Sequence, residues 1–275
     1  MFLKKVFVSL LVVVAAAIGL YFWWEGQRPP LQELEAIAPP PGPPVQAEPA
    51  IRYPVPEDKA AKAALPELED SDPATLDSLT ALLGKKWVAD YVVPRSLVRH
   101  IVVTVDNLPR QKVAVRLLPT KSVPGAFKVA TQEGKLTIDP RNAQRYLPFV
   151  RAAESMSAKD LVATYIRLYP LFQRAYEELG YPDGYFNDRL VDVIDHMLAA
   201  PELEPPVSLV QPHIVYKFAD PDLEAESAGH KIMARMGGEN AARTKAKLRA
   251  IRDELTREGG PPRPATSGSP APAGN

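Results

Sequence analysis

Residues 95–108 read Arg-Ser-Leu-Val-Arg-His-Ile-Val-Val-Thr-Val-Asp-Asn-Leu, and whether they form a helix or a strand decides the fold class. The run Ile101, Val102, Val103, Thr104, Val105 has the β-branched composition of a strand. Strict alternation fails at Val102 and Val103, however, whereas Leu97, Val98, Ile101, Val102, Val105 and Leu108 recur with the spacing of one helical face. The longer pattern predicts a helix, ended by Asn107 and Pro109.

Upstream, Asp72 and Pro73 predict a helix start, and Leu76, Leu79, Leu82 and Leu83 share a face that ends at Trp87. Downstream, the apolar patch 113–118 precedes the clearest hairpin signal. There 127–130 and 136–138 flank 131–135, with Gly134 available for a positive φ. Asp139 and Pro140 predict a cap for a helix through Val150. Ser157 caps a longer one with Asp160 three residues on, and its stripe is Leu161, Tyr165, Leu168, Phe172 and Tyr176. Pro170 lies inside that run, which predicts a kink or break near Tyr169 before Gly180 stops the helix.

Asn187 is the expected cap of a helix with the face Leu190, Val191, Ile194, Met197 and Leu198. Residues 207–210 and 214–218 read as short extended pieces around Pro212. Asp220 and Pro221 open a helix expected to reach Met236. After Gly237 and Gly238, Ala241, Thr244, Leu248, Ile251 and Leu255 define a last amphipathic helix. The fold class that follows is mainly α: a helical domain with one small β-hairpin, preceded by a single transmembrane helix and a Pro-rich linker.

The flanks carry the rest of that expectation. Residues 6–24 hold no charge and only Ser9 as a clearly polar member, about the length that spans a hydrocarbon core of ~30 Å. Ala15 and Ala17 offer a signal-peptide cleavage site, but the apolar run continues to Tyr21, Phe22, Trp23 and Trp24, an interfacial aromatic belt that favours an uncleaved anchor. Lys4 and Lys5 precede the span while Glu25 and Arg28 cancel behind it, so the N-terminus is expected in the cytoplasm and the remainder in the periplasm. The organisation expected is an anchor at 1–25, a disordered Pro-rich linker at 26–71, a folded domain at 72–257 and a disordered tail at 258–275. Prolines such as Pro39, Pro40, Pro41, Pro43 and Pro44 favour an extended spacer over a recognition ligand.

Composition narrows function mainly by exclusion. The 33 basic and 33 acidic residues balance, which implies no bulk polyelectrolyte partner, and zero cysteines exclude disulfides, thiolate metal sites and cysteine nucleophiles. No phosphate-cradling glycine loop, nucleophile elbow or Ser-x-x-Lys constellation is present. The nearest thing to a site is Asp192, Asp195 and His196, which needs a further partner such as His100, His213 or His230; the commoner reading is an Asp–His pair on a solvated helix face. Seven aromatic residues between Tyr165 and Phe186 suggest a sugar-stacking surface or, more ordinarily, a core stripe. Basic residues concentrate over 85–128 and acidic ones over 183–226, either facing each other or meeting an anionic envelope component. Arg243, Lys245, Lys247, Arg249 and Arg252 line the last helix, but a periplasmic body argues against nucleic acid. No catalytic, metal or cofactor residue is assigned.

The string Val102-Val-Thr-Val-Asp-Asn-Leu-Pro109, the stretch from Tyr216 through Asp220 and Pro221 to Ala228 and Gly229, and then Arg235, Met236, Gly237, Glu239, Asn240, Lys247, Leu248 and Arg249 resemble an uncharacterised bacterial membrane-anchored family, domain of unknown function 3014. The resemblance covers about residues 76–255. It implies a Gram-negative envelope setting and a single unit, and it transfers no activity to any residue. Two functions are therefore carried forward: a tethered binding or scaffold module for an envelope protein or cell-wall partner, and an envelope hydrolase or transferase using Asp192, Asp195 and His196.

Overall fold

Residues 95–108 do form a helix. In chain order the elements are α1 (Asp72–Leu83), α2 (Lys85–Tyr91), α3 (Leu97–Asn107), β1 (Val129–Gln132), β2 (Lys135–Ile138), α4 (Asn142–Ser155), α5 (Ala158–Glu178), α6 (Phe186–Leu198), β3 (Ser208–Val210), β4 (Lys217–Phe218), α7 (Pro221–Ala225), α8 (Ala228–Met236) and α9 (Gly238–Glu258). The computed structural model describes residues 51–56 and 65–258, all within one compact unit, Glu48–Asn275. The expected anchor, most of the expected linker and the tail beyond Glu258 lie outside the described residues. Among the described residues no helix is long and apolar enough to cross a membrane.

Burial explains why α3 is helical. Leu97, Val98, Val102 and Asp106 are buried while the residues between them are half-buried, a helical rather than an alternating pattern. Its N-terminus is capped from another helix. The Asp72 carboxylate accepts the backbone N–H groups of Ser96 (2.7 Å) and Leu97 (2.8 Å), so an anion meets the positive end of α3. The sequence assigns Asp72 as the cap of its own helix. Instead Ser71 holds that position, and Gly84, at φ +82°, divides the expected single helix into α1 and α2.

The long helix α5 packs against α1, α3, α6 and α9. Ser157 caps it as predicted, its hydroxyl accepting from Asp160 N–H, but the helix runs unbroken through Pro170. Tertiary packing along both halves outweighs one lost backbone bond. The aromatic run proves to be core. Leu168, Tyr169, Phe172, Tyr176 and Phe186 are buried with Val98 and Val102, and the Phe172 and Phe186 rings stack with centroids 5.9 Å apart. Their phenolic neighbours find partners at the edge: Tyr165 donates to Asn187 and Tyr169 to Gln173.

Asn187 does not cap α6. Tyr185 is at that position, and Asn187 lies buried one residue inside, donating from Nδ2 to the Tyr53 carbonyl at 2.8 Å. The segment 51–56 is thereby strapped onto the body. Asp188 accepts the N–H groups of Arg52 and Tyr53, and the Tyr185 hydroxyl accepts that of Val55. Leu68 is also buried, so packed chain extends into the span expected to be linker.

The hairpin forms where predicted, with Glu133 (φ +50°) and Gly134 (φ +76°) giving the two left-handed turn residues that match strand twist. The two extended pieces after Pro206 add to it, making one antiparallel sheet in the order β1-β2-β3-β4. Leu209 pairs with Leu136 on one side and Phe218 on the other. Asn142 joins sheet to helix. Its Oδ1 accepts Lys128 N–H and its Nδ2 donates to the carbonyls of Lys128 and Asp139. The helix expected over 220–236 is interrupted at Glu226, and Ser227 recaps it as α8 by accepting His230 N–H.

Candidate functional site

Helix α6 sends the three singled-out residues in different directions. Asp192 pairs with Arg52 at 2.7 Å, and Asp195 is bridged by the Arg252 guanidinium, with Nη2 3.0 Å from Oδ2. Both carboxylates are about half exposed, as are ordinary surface ion pairs. His196 turns inward and meets α8. Its Nε2 is 2.8 Å from Ser227 Oγ, and its ring stacks on that of His230 with centroids 4.1 Å apart and planes 7° from parallel. Of the three other histidines, His230 therefore converges on it. His213 is exposed in the β3–β4 connection, and His100 lies on α3 with a buried Nδ1 that has no hydrogen-bond partner.

Both rings are held by polar partners. Ser227 Oγ accepts the cap bond from His230 N–H and also hydrogen-bonds His196 Nε2. His230 faces acceptors at both ring nitrogens, the Glu226 carboxylate at 2.7 Å and the His196 carbonyl at 2.8 Å. Burial, and then the charge of His230 beneath it, lowers the His196 pKa from its usual 6.5. The serine is 7 % exposed and its oxygen is already a helix cap. The arrangement ties α6 to α8. It does not present a nucleophile.

Concave surface lies elsewhere. A cleft of about 760 Å³ opens between α4, the segment 201–207 and the α8–α9 junction, with Ala143, Leu147 and Val207 as apolar wall and Arg151, Asn240 and Lys245 as polar wall. That volume is in the range of small-molecule sites. Lys245 is buried, its Nζ donating to the Ala200 carbonyl at 2.6 Å with Glu202 3.6 Å away. Arg243 is held by Glu154. Arg151 is exposed and makes no ion pair among the described residues. The first turn of α9 opens onto the same cleft, and its leading N–H groups have no carbonyl within the helix to receive them. Gly237 makes this junction possible, since φ +87° with ψ 152° is accessible almost only to glycine. Asn240 then fixes it by donating to the Ala143 and Met236 carbonyls.

A second, smaller cavity of about 280 Å³ lies among α1, α3, α5, α6 and α9, and its wall is almost wholly apolar. Among the described residues no group of three or more His, Asp or Glu side chains is placed to hold a metal ion.

Residues 97–252 match the family described as a protein of unknown function, DUF3014, over more than half of the chain. The chain belongs to the DUF3014 family. No curated protein and no solved structure matches it. The DUF3014 match begins at the first residue of α3 and ends within the last turns of α9, so it takes in every wall of the cleft and the whole histidine pair. Two strings that carry the sequence resemblance touch in space. The carbonyls of Leu108 and Arg110 accept the N–H groups of Gly229 and Ala228 at 2.9 and 2.7 Å. Nothing in their spacing along the chain signals this contact.

Sequence reasoning passed over Ser227, Glu226 and the cleft. Ser227 ends an acidic stretch that reads as continuous helix, and the cleft is built from three segments distant in sequence. Of the two arrangements expected for the charge-segregated segments, mutual pairing is not seen among the described residues. Lys86 pairs with Asp90, Arg110 with Asp106 and Arg99 with Glu69 and Glu178, while Asp192 and Asp195 hold arginines from the two ends of the folded part.

Proposed function

We propose that this DUF3014 chain is a binding module of the bacterial cell envelope, tethered to the inner membrane by residues 1–25 with its folded part in the periplasm, where its large cleft engages a protein or cell-wall partner. The tether rests on the uncharged run 6–24, its terminal aromatics and the preceding Lys4 and Lys5. The observation that carries the binding reading is the cleft itself, about 760 Å³ with apolar walls and a few convergent donors from Arg151, Lys245 and the start of α9. Asp192 and Asp195, which a hydrolase or transferase would need, are engaged with arginines on the surface, and this favours binding over catalysis.

Two measurements on the full chain in intact cells test the proposal. A photo-crosslinking residue at Gln144, exposed on the cleft wall, is expected to capture a discrete partner that the same residue at the exposed Lys86, which is not part of that wall, does not. Identical patterns from both positions would defeat the binding assignment. An alkaline phosphatase fused after Asn275 is expected to be active, because that enzyme matures only after export; an inactive fusion would defeat the topology.

A further inference from the structure

We propose that the apolar cavity among α1, α3, α5, α6 and α9 holds the hydrocarbon chain of a fatty acid whose carboxylate meets Arg167 at the mouth. The space, about 280 Å³ and open to solvent along one side, presents an almost wholly apolar wall, and hydrocarbon laid against that wall would remove it from water. Three of its lining hydroxyls are already committed. Thr75 donates to the Ser71 carbonyl, Ser78 to that of Ala74, and Tyr165 to Asn187, and the exposed wall is almost entirely carbon. Water finds too few partners there, and an apolar guest finds only apolar wall. An apolar cavity of about 150 Å³ accommodates a benzene-sized molecule, and on that scale this one takes a chain of roughly ten carbons. A helix, about 10 Å across with its side chains, is too thick to enter.

The mouth supplies the other half of the recognition. Leu79 and Leu82 on α1, Leu161 on α5 and Ile251 on α9 line the cavity yet are only half-buried, so solvent reaches its edge there. Beside them Arg167 is exposed and donates from Nη2 to the hydroxyl of Ser78, itself a lining residue, at 3.0 Å. Arg167 has no carboxylate partner among the described residues, unlike Arg99, Arg174, Arg189, Arg243 and Arg252. An unpaired guanidinium at the rim of a hydrocarbon-lined space is complementary to an anionic amphiphile with one chain.

Native mass spectrometry of the full chain released from neutral-detergent micelles tests this with decanoate, decanol and acetate as probes. The unaltered chain is expected to retain one decanoate, to bind decanol at least tenfold more weakly and to retain no acetate. Arg167→Gln, an exposed change, should reduce decanoate to the decanol level and leave decanol unaffected. Leu161→Trp should abolish both by filling the mouth, provided its thermal transition stays cooperative; if it does not, Arg167→Gln alone decides. Failure of the unaltered chain to retain decanoate would overturn the proposal, as would undiminished decanoate binding by Arg167→Gln or by a folded Leu161→Trp.

Discussion

His196 and His230 lie face to face at 4.1 Å, one hydrogen-bonded to Ser227 and the other to Glu226 and the His196 carbonyl. Protonating His196 would put a charge on a partly buried ring: burial opposes it first, His230 and Arg189 oppose it further, and Glu226 favours it. Because the folded pKa is lowered from 6.5, the unfolded chain takes up the proton first, so stability is complete above about pH 6.5 and declines as pH falls below it. Thermal unfolding of the full chain between pH 7.5 and 5.5 should show a falling Tm, and His196→Gln should flatten that fall. A residual slope of the same sign is expected from His100, whose pKa is lowered by burial and by Arg95.

Asp106 on α3 is the polar hub of the fold. Only 3 % exposed, it accepts from Arg189 Nε at 2.9 Å and Arg110 Nη2 at 2.6 Å, while its backbone carbonyl takes Arg189 Nη2. Asp106→Ala leaves the half-buried Arg189 guanidinium without its anion and is expected to lower stability by about 3 kcal/mol in denaturant titration. Asp192→Ala and Asp195→Ala, which break exposed pairs, are expected to cost less than ~1 kcal/mol each.

Asp106 also shows how far the sequence carries. The period of Leu97, Val98 and Val102 reveals a buried helical face, because helix burial is written in local spacing. That an aspartate shares that face cannot be read from its neighbours, since Arg189 lies 83 positions away. Caps behave the same way. Ser157 and Asp220 cap the helices they precede, which is a local matter, whereas Asp72 caps α3 across a helix contact. The candidate site fared worst for the same reason. Asp192 and His196 are neighbours on one turn of α6, but what each side chain meets is decided by residues 51–56 and by α8.

Two glycines should resist substitution for different reasons. At Gly229 an added Cβ would stand 2.3 Å from Met197 Sδ and 3.1 Å from the Leu108 carbonyl oxygen, the acceptor of the Gly229 N–H. Gly229→Ala is therefore expected to cost about 1–3 kcal/mol through overpacking of α8 against the 108–110 turn. Gly237→Ala meets no steric obstacle, Ala143 Cβ being 3.5 Å away, but its φ of +87° imposes backbone strain of about 1–3 kcal/mol. Met197→Ala should relieve the first variant and leave the second unchanged, a difference that a double-mutant cycle by urea unfolding would register.

The connection from β2 to α4 carries an acid-dependent contribution of opposite chemistry to the histidines. Asp139 receives the Arg141 side chain at both carboxylate oxygens and the Arg141 backbone N–H at 2.8 Å. The Arg141 guanidinium is the main cause that draws the carboxyl from its usual 3.8 to about 2, with the backbone bond second. A depressed carboxyl pKa stabilises the fold fully above the unfolded value and loses that contribution as pH falls through 3.8 toward 2. Asp139→Asn keeps an oxygen for the backbone bond but removes the charge. Its Tm should lie below that of the unaltered chain at neutral pH, and the gap should close as the two are compared from pH 4 down to pH 2. A gap that persists unchanged at pH 2 would mean that the asparagine is disfavoured for its shape rather than for its missing charge.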